Sequence, residues 1–219
     1  MLVSDSSQLT GAPLLLSCVV ISQSECMLTD SDYRYLRRNK RRFKMTRSEA
    51  SEALAAANVP QIDAFIDFQS TYAGYNPEED VTYGIVGLAA QPDGEPRSDC
   101  LRDVTRARCD LDNRIQIRFW IDENGLFYYE QSPVAETFES YVRFQAYCEL
   151  TLGLLGWTHI DNERRATKRF QKFLNGRVAD PVANATDQYH SVIRSDDFFE
   201  IKICDNPRLF VRPDLLQGW

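Results

Sequence analysis

Ile115, Ile117, Phe119 and Ile121 fall at every second position, with Gln116, Arg118 and Trp120 between them. A period of two marks a strand with one buried face. The string Asp122-Glu123-Asn124-Gly125 follows, and Asn-Gly tolerates positive φ, so the pattern predicts a type I′ turn and a return strand over Leu126–Glu130. Ser132 then offers an N-cap oxygen, and Pro133 suits a first helical position. Apolar residues at Val134, Phe138, Tyr141, Val142, Cys148, Leu152 and Leu155 form a helical stripe. A hairpin feeding a long amphipathic helix predicts an α+β fold: a central antiparallel sheet, a helix pair before it and long amphipathic helices after the hairpin.

The flanking pattern fills in the helix pair. Thr46 and Glu49 have capping-box spacing, and Ala50, Leu54 and Ala57 give a short helix ending near Asn58. Pro60 opens a second, with Ile62, Phe65, Ile66, Gln69 and Tyr72 on one side and Gly74 at its end. Val81–Ala90 reads as a strand and Gln91–Asp112 as a long polar loop, of a length that marks binding or mobility. Asp161–Asn175 reads as one helix ended by Gly176. Pro181–Asp187 is a loop, and three strands follow at Tyr189–Ile193, Phe198–Cys204 and Leu209–Arg212. Near the start, Leu14–Ile21 is a β-prone run.

Candidate chemistry adds little. The six cysteines lack metal-ligand spacing, and a structural zinc would need ligands from scattered positions. A Cys100–Cys109 bridge is conceivable, but a chain of this size without an export signal favours reduced thiols. There is no nucleophile elbow, zinc-protease helix, phosphate-binding loop or dinucleotide fingerprint. Cys148 and His159 suggest a thiol nucleophile, yet Cys148 lies on the apolar stripe, where a buried thiol is the ordinary explanation. The pairs Glu78-Glu79 and Asp196-Asp197 read as solvated turn carboxylates. No catalytic residue, metal or cofactor is expected.

The helix pair around Val59-Pro60, the glycines of Tyr83–Leu88, the hairpin over Phe119–Tyr129 and the run Ser132–Leu150 together resemble the SUKH superfamily. That family unites bacterial immunity proteins and fungal cell-wall regulators with the SMI/KNR-type domain. The resemblance covers Thr46–Leu155. It implies an N-terminal extension over 1–45 carrying a basic segment, then one SUKH-like α+β domain over 46–219 with a C-terminal extension. It also implies a non-enzymatic protein that binds and neutralises a cognate toxin, such as a cytosol-acting nuclease, by covering its active site. A cytoplasmic location is the expectation from the sequence itself, whose longest apolar run, Ala12–Ile21, is too short to span a bilayer and has no Lys or Arg before it.

Charge placement points the same way. Residues 1–47 hold eight basic and four acidic side chains, all the basic ones between Arg34 and Arg47; the remaining 172 residues hold 17 basic and 28 acidic. An acidic body repels nucleic-acid phosphate and attracts basic proteins. The expected partner is therefore a basic toxin domain, with neither a small-molecule substrate nor a membrane. Its binding surface is expected on two polar loops, at Glu78, Glu79, Asp80, Asp93, Glu95, Asp99 and Asp103. The alternative is a nucleic-acid-associated regulatory scaffold using the basic 34–47 segment, where Tyr35, Leu36 and Phe43 interleave with the cations.

Overall fold

The computed structural model describes residues 28–77, 81–87, 96–109, 119–165, 167–175, 177–203 and 206–216, with side chains left out at 151–155, 163, 164 and 169. The fold is α+β, built on two five-stranded antiparallel sheets. Leu14–Ile21, Ile115, Ile117 and Gly176 lie outside the described residues, as do the side chains of Leu152 and Leu155.

Helix α1 (Asp30–Leu36) begins at a capping box in which the Asp32 carboxylate accepts the Thr29 backbone N–H at 2.8 Å. It buries Tyr35 and Leu36. The chain beyond it runs along glycines that leave room for it. The Arg42 N–H donates to the Gly74 carbonyl at 2.7 Å, and a Cβ at Gly74 would lie 2.1 Å from the Phe43 carbonyl oxygen. Gly74 also has φ +84°, so glycine is required there twice over. Helices α2 (Arg47–Ala56) and α3 (Asp63–Tyr72) form the expected pair. The Thr46/Glu49 capping box is present, and α3 buries Phe65, Phe68, Gln69 and Tyr72.

Sheet 1 is a meander of β1 (Ser98–Leu101), β2 (Val104–Cys109), β3 (Phe119–Asp122), β4 (Phe127–Tyr129) and β5 (Ser132–Ala135). Ala107, Ile121, Phe127 and Ala135 share one buried face by register and alternation. They pack with α3 and with helix α4 (Phe138–Leu155), which spans about 27 Å at 1.5 Å per residue. Phe138 lies at the centre, its ring 4.7–5.3 Å from those of Phe68, Tyr72, Tyr83 and Phe127.

Sheet 2 takes the order β6 (Thr158–Ile160), β10 (Asn206–Val211), β9 (Phe198–Ile203), β8 (His190–Arg194) and β7 (Asp180–Pro181). Alternation along β9 sends Phe199 and Ile201 to one face, where they pack with Phe144 and Cys148 of α4. Phe198 turns to the other face and meets Phe170 of α6 (Lys168–Leu174), together with Ile160, Leu209 and Val211. Helix α4 thus serves both sheets. Phe138, Val142 and Ala146 face the first core, and Phe144 and Cys148 face the second.

Five expectations are corrected. Ser132 and Pro133 do not start α4. They lie in β5, an edge strand where proline's missing N–H is tolerated, and the helix is capped instead by Thr137, whose hydroxyl accepts the Ser140 N–H at 3.1 Å. The Asn124-Gly125 turn is not type I′. Only Gly125 has positive φ, and the Asp122 carboxylate accepts the N–H groups of Asn124 and Leu126 at 2.9 Å, holding a wider three-residue loop. The two-residue hairpin with both central φ angles positive occurs at Arg102-Asp103, between β1 and β2 in the stretch expected to be loop. Val81–Val86 is buried but irregular. Tyr83 exchanges backbone bonds with Gly74 and Tyr75 at 2.7 and 2.9 Å, and beyond it the buried Gln69 amide accepts the Ile85 N–H at 2.8 Å and donates to the Val86 carbonyl at 2.5 Å. Finally, Asp161–Asn175 divides into α5 (Asn162–Arg165) and α6, because the Thr167 side chain caps a new helix by accepting the Phe170 N–H.

Candidate functional site

Two arrangements concentrate polar chemistry. The first covers the back of sheet 1. Arg106, Arg108, Trp120, Asp122 and Tyr128 share the face opposite the core by register, and all five are buried. Arg106 makes two bonds to the Asp99 carboxylate, at 2.8 and 2.6 Å, and a third to the Glu130 carbonyl at 2.9 Å. Its guanidinium lies 4.6 Å from the Trp120 ring centroid and 5.4 Å from that of Tyr128. A planar cation lying over two rings and forked onto a carboxylate is a strong local arrangement. Tyr128 donates to Asp122 at 3.0 Å; burial first, then that bond, pushes its hydroxyl up to about 12.

The second lies at the seam between the sheets, beside a cleft of about 480 Å³ lined by Ser132, Pro133, Asp187, Tyr189, His190 and Lys202, among others. Asp187 precedes β8 and binds both sides. One oxygen accepts the backbone N–H groups of Tyr189 and His190 at 2.7 and 3.0 Å; the other accepts Glu136 N–H and Ser140 Oγ–H, both at 2.8 Å. The His190 ring is buried against Phe144, ring centroids 4.6 Å apart. Its Nδ1 sits 3.0 Å from the Val134 carbonyl of β5 and 3.1 Å from Asp187. A carbonyl can only accept, so Nδ1 carries the proton. Nε2 is buried with no hydrogen-bond partner among the described residues. Desolvation lowers the ring's pKa, outweighing the pull of Asp187.

Neither arrangement is set up for nucleophilic catalysis. Serine, aspartate and histidine do meet at the seam, but Ser140 donates to the carboxylate rather than to His190 Nε2, which is the wrong order for a base-activated hydroxyl. Burial pushes the Cys148 thiol up to about 12, with Glu149 adding to it, so the thiolate needed for attack is suppressed. Cys100 and Cys148 are free thiols. Among the described residues no group of carboxylates, histidines and cysteines is arranged to hold a metal, and no helix is long and apolar enough to cross a membrane.

Of the acidic residues expected to form a binding surface, Glu78, Glu79, Asp80, Asp93 and Glu95 lie outside the described residues. Asp99 is taken up by Arg106, and Asp103 is exposed at the β1–β2 turn. Sequence reasoning missed the Asp187–His190 pair, although Asp-x-x-His opening a strand was a usable signal: a carboxylate there reaches back to following N–H groups. Comparisons with protein-family models, with curated proteins and with solved structures gave no match.

Proposed function

We propose that this chain is a non-catalytic immunity-type protein that binds a basic toxin domain, a cytosol-acting nuclease or a similar enzyme, and covers its active site. The observation carrying this reading is the fate of the basic segment. Arg38 pairs with Glu149 at 2.9 Å, and Arg41 donates to the carbonyls of Thr71 and Ala73 at the end of α3 while stacking 4.3 Å from the Tyr75 ring. Arg47 bonds Asp63 at 2.6 Å and also pairs with Asp67. These arginines tie the segment to the body, so the acidic excess of the remaining chain faces partners. Such a field speeds encounter with a basic surface and adds specificity more than affinity. Arg34, Arg37, Lys40 and Lys44 stay exposed, and they favour the second reading, a nucleic-acid-associated scaffold.

The test is co-expression of the full chain with any nuclease-type toxin domain encoded next to it. Rescue of growth and a stable complex on gel filtration are expected, together with slower, less salt-sensitive association when Glu78, Glu79 and Asp80 are changed to lysine. No rescue and no complex would overturn the proposal. A salt-sensitive mobility shift of duplex DNA, lost when Arg34, Arg37, Lys40 and Lys44 become glutamine, would establish the scaffold instead.

A further inference from the structure

We propose that His190 is an acid-sensitive latch that holds the two sheets together while its imidazole is neutral. The geometry has three parts. The Nδ1 proton crosses from β8 of sheet 2 to the Val134 carbonyl of β5 in sheet 1. The Asp187 carboxylate, held by Glu136 and Ser140 on the sheet 1 side, fixes the backbone on which the ring stands. Nε2, the atom that takes a second proton, is enclosed without an acceptor among the described residues. A proton added there creates a buried N–H with no partner and a buried charge, and both oppose burial.

The surroundings decide whether that charge can be neutralised in place. Asp187 and Tyr189 flank the ring on its own segment, and Glu136 approaches from the β5–α4 connection. From α4 the ring meets Phe144, and its register partner on β9 is Ile203. Lys202 belongs to the opposite face by alternation. Among the described residues Asp187 is thus the one charge in contact, on the Nδ1 side, and its oxygens already accept the N–H groups of Glu136, Tyr189 and His190 and the hydroxyl of Ser140.

The ring therefore takes up a proton more readily when the seam is open. The open form binds more protons below the ordinary histidine value of about 6.5, so closure is complete above it and weakens as pH falls. One proton sets the ceiling: the open population grows by at most about tenfold per pH unit. Asp187, Glu136 and Ser140 form the joint that loosens, while each sheet keeps its own ladder.

Hydrogen exchange on the full chain, followed from pH 7.5 to 4.5 as protection factors, reads this directly. Amides of Glu136, Tyr189 and His190 should lose protection by up to about tenfold per unit below about pH 6.5, while those of α2 hold theirs. His190→Asn keeps a donor near the Nδ1 position and cannot titrate, so its seam protection should be flat with pH. In case that variant does not fold, imidazole ¹⁵N shifts of the unmodified protein decide. His190 must titrate below the ordinary histidine value of about 6.5, with exposed His159 as the reference in the same spectrum. A ring that takes up its proton at or above the ordinary histidine value, a seam whose protection does not change, or a His190→Asn protein with the same pH dependence would each overturn the latch.

Discussion

The two sheets bury themselves by different means. Sheet 2 has α4 on one face and α6 on the other, and its strands present phenylalanine, isoleucine, leucine and valine to both. Sheet 1 has helices against one face, whereas its other face is closed by Arg106, lying over Trp120 and Tyr128, with Arg108 buried beside them. Apolar cover is non-directional and tolerates imperfect placement. Arginine cover is directional, because a buried N–H left unpaired costs free energy, so Asp99 and the Glu130 carbonyl matter to Arg106 as much as the rings do. The difference teaches that a strand can be buried through charge if the same sheet supplies the counter-charge.

The largest test asks whether the two sheets are separate bodies or one. Phe138→Ala removes the ring around which Phe68, Tyr72, Tyr83 and Phe127 are arranged, and should cost about 3–5 kcal/mol. Because α4 carries both Phe138 and Phe144, the loss should reach sheet 2. Single-tryptophan variants keeping Trp120 in sheet 1 or Trp157 beside Phe199 should show coincident denaturation transitions, both displaced together by Phe138→Ala. A transition at Trp157 that did not move would make sheet 2 an independent unit.

Breaking the arginine cover comes next. Arg106→Ala strands Asp99 and uncovers two rings. Loss of one partner of a buried pair costs 3–5 kcal/mol, and Asp99, 32% exposed, places this case at the lower end, about 3 kcal/mol. Combining Arg106→Leu with Asp99→Ala should restore much of it, since an apolar pair needs no counter-charge. A double-mutant cycle by urea denaturation measures the coupling. An Arg106→Ala protein within about 1 kcal/mol of the parent would show that the rings, not the ion pair, close this face.

That contrast also explains what could be read in advance. Strands β8, β9 and β10 were legible because Val192, Ile201 and Leu209 sit in alternating, apolar patterns bounded by turn residues. The helix pair was legible through Thr46, Glu49 and Gly74. Strands β1 and β2 were not, since Arg106 and Arg108 score as polar although both are buried. Val81–Val86 misled in the opposite sense: its apolar run is that of a strand, but past the Tyr83 bonds to Gly74 and Tyr75 its pairing comes from the side chain of Gln69, sixteen residues earlier than Ile85. Ser132-Pro133 carries a helix-start signal that an edge strand can also hold. Among the acidic residues, Asp99 looked like free surface because nothing local reveals that Arg106 is directly across the ladder from it.

The smallest test concerns the hairpin that the arginine-covered face depends on for its register. Arg102 and Asp103 have φ values of +51° and +68°, and they form a two-residue connection between Leu101 and Val104. Both residues pay for the left-handed region; asparagine and aspartate do so least among the non-glycine residues, arginine more. Asp103→Gly removes that cost at one position but gives the unfolded chain more freedom, which returns part of the gain. The net should be a stabilisation of about 0.5 kcal/mol, seen as a rise in the urea midpoint at unchanged slope. Asp103→Val should move the midpoint the other way by about 1 kcal/mol or more, because a β-branched side chain resists positive φ. If both variants lowered stability equally, the Asp103 carboxylate itself would be holding the turn. The positive φ would then be a consequence of that contact rather than of the two-residue hairpin geometry, and the pairing of Asp99 with Arg106 would rest on a side chain rather than on the backbone.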